Sequence, residues 1–309
     1  MSKSTQALSD DSLSELKERA TEFARSASTE LTTHDAEVIP ELAEHLWPGA
    51  TVYVAHTPRA KLEEVVRVAA KIESIGLRAS PHIVARRVES ERALRDALRH
   101  LRNAGVKQVL TVAGDKQGTS GPFDSSLEVL RSGLLTEFGF DRVGVAGHPE
   151  GHQAVESARL WDALREKHEF AQSTKINLHI VTQFGFSPEV VYAWTRQLRD
   201  HGISLPVHVG IAGPASLTKL LRFAIQCGVG ASLNSVMSNI SAVSNLARPA
   251  TTPEAWIASL TRVSTEQQAL QIVQPHIFAF GGVLNTARWL RAVSDGEFDV
   301  RSDGNLELY

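Results

Sequence analysis

His148, Glu150 and His152 stand at every second position of Val145-Ala146-Gly147-His148-Pro149-Glu150-Gly151-His152. Two imidazoles and a carboxylate can hold a metal, grip a cofactor or move a proton. They follow a short apolar run that reads as a buried strand. The arrangement recurs along the chain. Val52-Tyr53-Val54-Ala55 runs into His56, Pro81-His82-Ile83-Val84-Ala85 into Arg86, Val109 to Ala113 into Gly114-Asp115, and His179-Ile180-Val181-Thr182 into Gln183. Each time an apolar β-type run meets a residue able to bind or do chemistry. Parallel strands buried on both faces have this composition. When eight of them close into a (β/α)8 barrel, the site gathers at their carboxyl ends.

The elements needed to position these residues follow in order. Ser12 to Ser26 has helical spacing, with Leu13, Leu16, Ala20 and Phe23 on one stripe, and reads as a helix lying across the barrel bottom. Strands are expected at Ala27–Thr32, Thr51–His56, Ala79–Ala85, Gln108–Ala113, Arg142–Ala146, Asn177–Thr182, Pro206–Ile211 and His276–Phe280. Helices are expected between them, among them Arg59–Ile75, Glu89–Asn103, Ala154–Phe170, Pro188–Asp200 and Ala215–Cys227. Extra helices at Ala231–Asn245 and from Pro253 fall between strands seven and eight, and Leu284–Val293 closes the series. Eight strands alternating with helices is the barrel count. The rival is an open doubly wound sheet, which usually carries a glycine-rich turn after strand one. Strand one here ends Glu30-Leu31-Thr32-Thr33, without glycine. The division expected is a polar segment and helix over 1–26, one catalytic barrel over 27–296 and a tail over 297–309.

Several residues have two readings. Glu30 lies within strand one, where a carboxylate needs a hydrogen-bond partner and could act as a general acid. The alternative is a solvated strand-end glutamate, and Glu37 is the rival acid. His82 reads as a core histidine or a ligand, and His56 more weakly so. Gly114 would let a ligand approach the backbone, and Asp115 stands too early to cap the next helix. The loop from Lys116 to Pro122 exceeds what a structural turn needs. His148 and His152 with Asp115, and His82 in reach, could form a metal site for hydrolysis. Gln183 could hold a substrate ring with its amide or satisfy loop backbone. Gly228-Val229-Gly230 could cradle a phosphate.

Composition narrows the classes. A chain of 309 residues, 42% hydrophobic, can build one large core. A formal net charge of -3 gives no basic footprint for nucleic acid. Cys227 is the single cysteine, so neither an intrachain disulfide nor a cysteine-rich zinc site can form. No apolar run reaches the roughly 18 residues of a membrane helix. The polar start at Met1 to Asp11 fits neither a secretory signal nor a transit peptide, so a cytoplasmic location is expected. Self-association into a homo-oligomer is left open.

Taken in order, Thr29-Glu30-Leu31, Pro81-His82, Ala113-Gly114-Asp115, Pro149-Glu150-Gly151-His152 and Thr182-Gln183-Phe184 resemble the methylenetetrahydrofolate reductase family. Gly210-Ile211-Ala212-Gly213-Pro214 and the segment from Leu220 to Val229 extend the likeness, which spans about Ser28 to Gly282. The resemblance implies a barrel that binds FAD and passes hydride from NAD(P)H through flavin N5 to methylenetetrahydrofolate, in ping-pong fashion. It implies Glu30 as the acid that opens the folate imidazolidine ring. It places Asp115 near flavin and pterin, and Gln183 on pterin or nicotinamide. His56, His82, Gly114, His148, His152 and Lys167 would line the cofactor, and Leu217 the substrate. Departures from the family pattern are Ala55-His56 for a Thr-Tyr pair, Ala113 for an arginine and His148 for a tyrosine. Lys167 or His168 stands for the family's basic residue. A metal-dependent barrel hydrolase and a folate- or flavin-binding barrel without catalysis are the alternatives.

Overall fold

The computed structural model describes residues 10–115, 121–216, 219–220, 222–223 and 253–309. The extra helix expected at Ala231–Asn245, the Gly228 turn, Leu217 and most of the Lys116 loop lie outside the described residues. Eight parallel strands close into a barrel in sequence order: β1 (Ser28–Thr32), β2 (Thr51–Ala55), β3 (Arg78–Val84), β4 (Gln108–Val112), β5 (Arg142–Gly147), β6 (Asn177–Thr182), β7 (Val207–Ala212) and β8 (Ile272–Phe278). The fold is the (β/α)8 barrel, and closure of β1 on β8 through Ser28 and Thr29 rules out the open sheet.

The described helices are α1 (Asp10–Arg25), α2 (Ile39–His45), α3 (Leu62–Ser74), α4 (Glu91–Asn103), α5 (Ser126–Arg131), α6 (Leu134–Glu137), α7 (Ser157–Ser173), α8 (Pro188–Asp200), α9 (Pro253–Glu266) and α10 (Val283–Ser294). Their starts obey local chemistry. Thr32 caps the 3-10 turn Thr33–Val38 by accepting from His34 N, while Asp35 accepts from Thr32 N. Ser90 and Ser125 cap α4 and α5 in the same way. None of the described helices is long and apolar enough to cross a membrane.

Helix α1 packs against the outer helices α9 and α10, a short C-terminal strand and β8. One expected boundary is corrected. Strand eight begins at Ile272 rather than His276, with Pro275 inside it opposite Val209. A proline lacks the ladder N–H and so hides a strand from a sequence reading. Residues 298–300 and 306–308 pair as an antiparallel hairpin, β9 and β10.

The barrel wall is buried on both faces, and the two faces differ. Its outer face is aliphatic: Val52, Val54, Ile83, Val109, Val143, Val145, Ile180, Val209 and Ile211 are fully buried against the helices. The inner face is mixed, with Leu110 and Val181 packed against Tyr53 among polar residues. Residues two apart on the same strands carry Glu30, Tyr53, Ser80, His82, His179, His208 and His276. Side chains of β2 and β6, which are not neighbours in the sheet, meet across the interior.

Candidate active site

Glu30 is the only acidic residue in the eight barrel strands. Its side chain is 19% exposed, and its Oε2 lies 3.7 Å from His276 Nε2. At that distance the contact is electrostatic rather than a hydrogen bond. His276 Nδ1 lies 2.9 Å from Ser28 Oγ, and Gln274 Nε2 donates to that same oxygen at 3.2 Å. The set is satisfied when the serine proton points to Nδ1 and the imidazole N–H points to Glu30. Glu37, the rival acid, is exposed in the 3-10 turn and away from this line.

His82 stands on the inner face of β3, half-buried, with a buried Nε2 that lacks any hydrogen-bond partner among the described residues. Burial lowers its pKa to about 4, against the pull of Glu30, so it is a neutral imidazole at neutral pH. His56 and Thr57, just past β2, also carry orphaned buried atoms, Nδ1 and Oγ1. Three unsatisfied polar atoms therefore gather at the carboxyl ends of β2 and β3. Buried polar atoms without partners are uncommon and point to an absent ligand.

The turn after β4 is held by two arginines: Arg86, which the sequence pattern places at a strand end, and Arg87, which it does not single out. Arg86 donates to Gly114 O at 2.5 Å. The Arg87 guanidinium donates to His56 O and lies 3.5 Å from Asp115 Oδ2, tying the ends of β2 and β4 together. Asp115 itself is 78% exposed on its side chain, just past the carboxyl end of β4. Gly114 has φ +84, and a Cβ there would fall 2.4 Å from Val84 Cγ1, so no side chain fits.

On the β5 side, His148 and His152 meet edge to face at 5.2 Å. Burial, then His152, lowers the His148 pKa to about 4. Lys167 on α7 is buried, donates to Ala163 O at 3.2 Å and acts electrostatically on His148. Burial lowers its pKa to about 8. His168 instead pairs with Ser204 Oγ at 3.1 Å, so of the two basic candidates only Lys167 stands beside His148. Glu150 reaches the end of β6, where a Cβ on Gly185 would lie 2.9 Å from its Oε1. Gln183 N donates to Gly147 O at 2.8 Å, and its own Oε1 accepts from Phe184 N at 3.2 Å.

A family model for methylenetetrahydrofolate reductase matches residues 41–264. The chain belongs to the methylenetetrahydrofolate reductase family. Among solved structures it is similar to dihydropteroate synthase from Thermus thermophilus, with 15% identity over 87% of this chain and 92% of that one, TM-score 0.46. It is also similar to a putative phosphonomutase from Burkholderia cenocepacia, with 12% identity over 91% and 98%, TM-score 0.47. A third is oxaloacetate acetylhydrolase in complex with the product oxalate, with 12% identity over 88% and 81%, TM-score 0.48.

Membership in the methylenetetrahydrofolate reductase family supports a folate-related oxidoreductase. The metal trio of the alternative hydrolase reading is not assembled: among the described residues no three His, Cys, Asp or Glu side chains converge to hold an ion. Asp115 turns to Arg87 instead. The inner residues Ser28, Tyr53, His179, His208 and His276 were missed in the sequence. Their signal was there, as polar residues two apart between β-branched ones.

Proposed function

We propose that this chain binds FAD and interconverts 5,10-methylenetetrahydrofolate and 5-methyltetrahydrofolate with NAD(P)H. The observation that carries this reading is the single carboxylate among the barrel strands, Glu30, 19% exposed and 3.7 Å from His276. Opening the imidazolidine ring requires a proton on nitrogen, and a carboxyl held by one imidazole is suited to give it. When bound, the flavin supplies hydride transfer between nicotinamide and folate.

The residues present fit such a cofactor. The orphaned atoms of His56, Thr57 and His82 offer hydrogen bonds to a flat heterocycle. Gly114 presents bare backbone, and Asp115 stands beside it at the mouth. Lys167 offers positive charge for the cofactor's diphosphate, with the neutral His148 imidazole beside it. Gln183 would turn from Phe184 to a ring amide of pterin or nicotinamide, which then share one face in ping-pong order. The lone Cys227 fits a reducing compartment, and we place the reaction in the cytoplasm.

The test is Glu30→Gln. The variant should keep its flavin absorbance and still bleach with NADH, because that half-reaction needs no proton from the acid. Methylenetetrahydrofolate reduction should fall by about 10²–10⁴. Equal loss in both half-reactions would remove Glu30 from the acid role.

A further inference from the structure

We propose that Tyr53, held by His179 and His208, is a positioning residue that fixes the His276 ring for proton exchange with Glu30. This rests on the acid role given to Glu30 above. Tyr53 stands beside Glu30 in register on β2, on the inner face. Its ring meets the His276 ring edge to face at 4.6 Å and 66°. His276 is thus gripped on one side by Ser28 Oγ and on another by a phenol ring. Without the second contact the imidazole could rock about its hydrogen bond to Ser28, and its Nε2 would swing relative to Glu30.

The phenol is anchored in turn from across the barrel. Tyr53 Oη lies 3.2 Å from His179 Nε2 on β6. Burial raises the phenol's pKa far above its ordinary value, so it keeps its proton and donates it. Burial and the Arg142 charge lower the His179 pKa to about 4, which leaves Nε2 a neutral acceptor. His179 stacks on His208 of β7, with centroids 4.2 Å apart and planes 24° apart. Room for this stack comes from a glycine on β5, since a Cβ at Gly144 would lie 3.1 Å from His179 Nε2. Five strands thus converge on one imidazole. The titratable groups facing it are Glu30, Tyr53, His82, His179 and His208, and the Arg142 charge acts on Tyr53, His179 and His208. Of these the three other histidines are held neutral by burial, which leaves Glu30 as its nearby ionic partner.

The experiment uses Tyr53→Phe, which keeps the ring and deletes the hydroxyl. The second variant is His179→Gln, which retains a side-chain acceptor. Histidine-selective NMR of the free protein reads the His276 Cε1–H signal and its titration, with Glu30→Gln and His276→Asn identifying the signal. Tyr53→Phe should move the His276 titration and broaden the signal, and should slow the folate half-reaction roughly five- to tenfold. Flavin reduction by NADH should be unchanged. His179→Gln should have the smaller effect, and the double variant should fall short of the product of the two. An unmoved His276 titration in a folded Tyr53→Phe protein overturns the proposal, even where melting temperature falls. A moved titration without folate turnover in the parent protein upholds the positioning and sinks the folate reading instead.

Discussion

The outer and inner faces of the barrel wall are built by alternate residues of the same strands, yet they do opposite work. The outer residues Val54, Ile83, Val145, Ile180 and Ile211 meet only apolar helix faces and are fully buried. The inner residues Glu30, Tyr53, His82, His179 and His276 meet each other, and His82 and His208 keep unpaired nitrogens. Area removed from water stabilises the first set at about 25 cal/mol per Å². The second set gives up part of that stabilisation to enclose polar groups, where the proposed chemistry would use them. The comparison teaches that strand alternation, and not strand ends alone, decides which polar groups the barrel encloses.

Acid should break the comparison most strongly. The unfolded chain takes up protons on histidine near pH 6.5, whereas His82, His148 and His179 hold out to about 4. The unfolded state therefore binds more protons in that window, and stability falls as pH falls. Each group forfeits on the order of 3 kcal/mol across it. Melting temperature should drop steeply from pH 6.5 to 5, above the range where carboxylates titrate, and His179→Gln should flatten the slope. A melting temperature flat over that window would contradict neutral inner histidines.

Damage to the outer face should look different. Ile180→Ala removes a fully buried side chain that packs on Gly147. It should cost about 2–4 kcal/mol of stability in urea. The pH slope of the melt should stay as in the parent protein. A changed slope would mean that the two faces are not separable.

Gln183→Ala should have the smallest effect, on the rim between the faces. Truncating an amide that holds both nicotinamide and pterin should cost about 1–3 kcal/mol in each half-reaction. Initial-rate plots should run parallel, as expected for a shared face. Intersecting plots, with only one half-reaction impaired, would leave Gln183 as the cap on Phe184 N that the structure displays.

The sequence by itself determined the strand count and the barrel. Asn177–Thr182 and Pro188–Asp200 match β6 and α8 end to end, because continuous β-branched runs and amphipathic spacing are local signals. It also exposed Glu30, whose charge is conspicuous inside an apolar strand, and the glycine-aspartate turn. Strand eight was shortened because Pro275 mimics a boundary. The companions of Glu30 were decided only in three dimensions. Ser28, Tyr53, His179, His208 and His276 are spread over some 250 residues, as the 248-residue separation of Ser28 and His276 illustrates. Nothing in the chain's local pattern says which strand faces which across a barrel. Closure of β1 on β8, and the inward half of each alternation, bring them together. Arg87 joined the site for the same reason, since its reach to His56 O and Asp115 depends on how β2, β3 and β4 end side by side. Local periodicity sets the faces of each strand, while the closed hydrogen-bond ladder sets which faces meet.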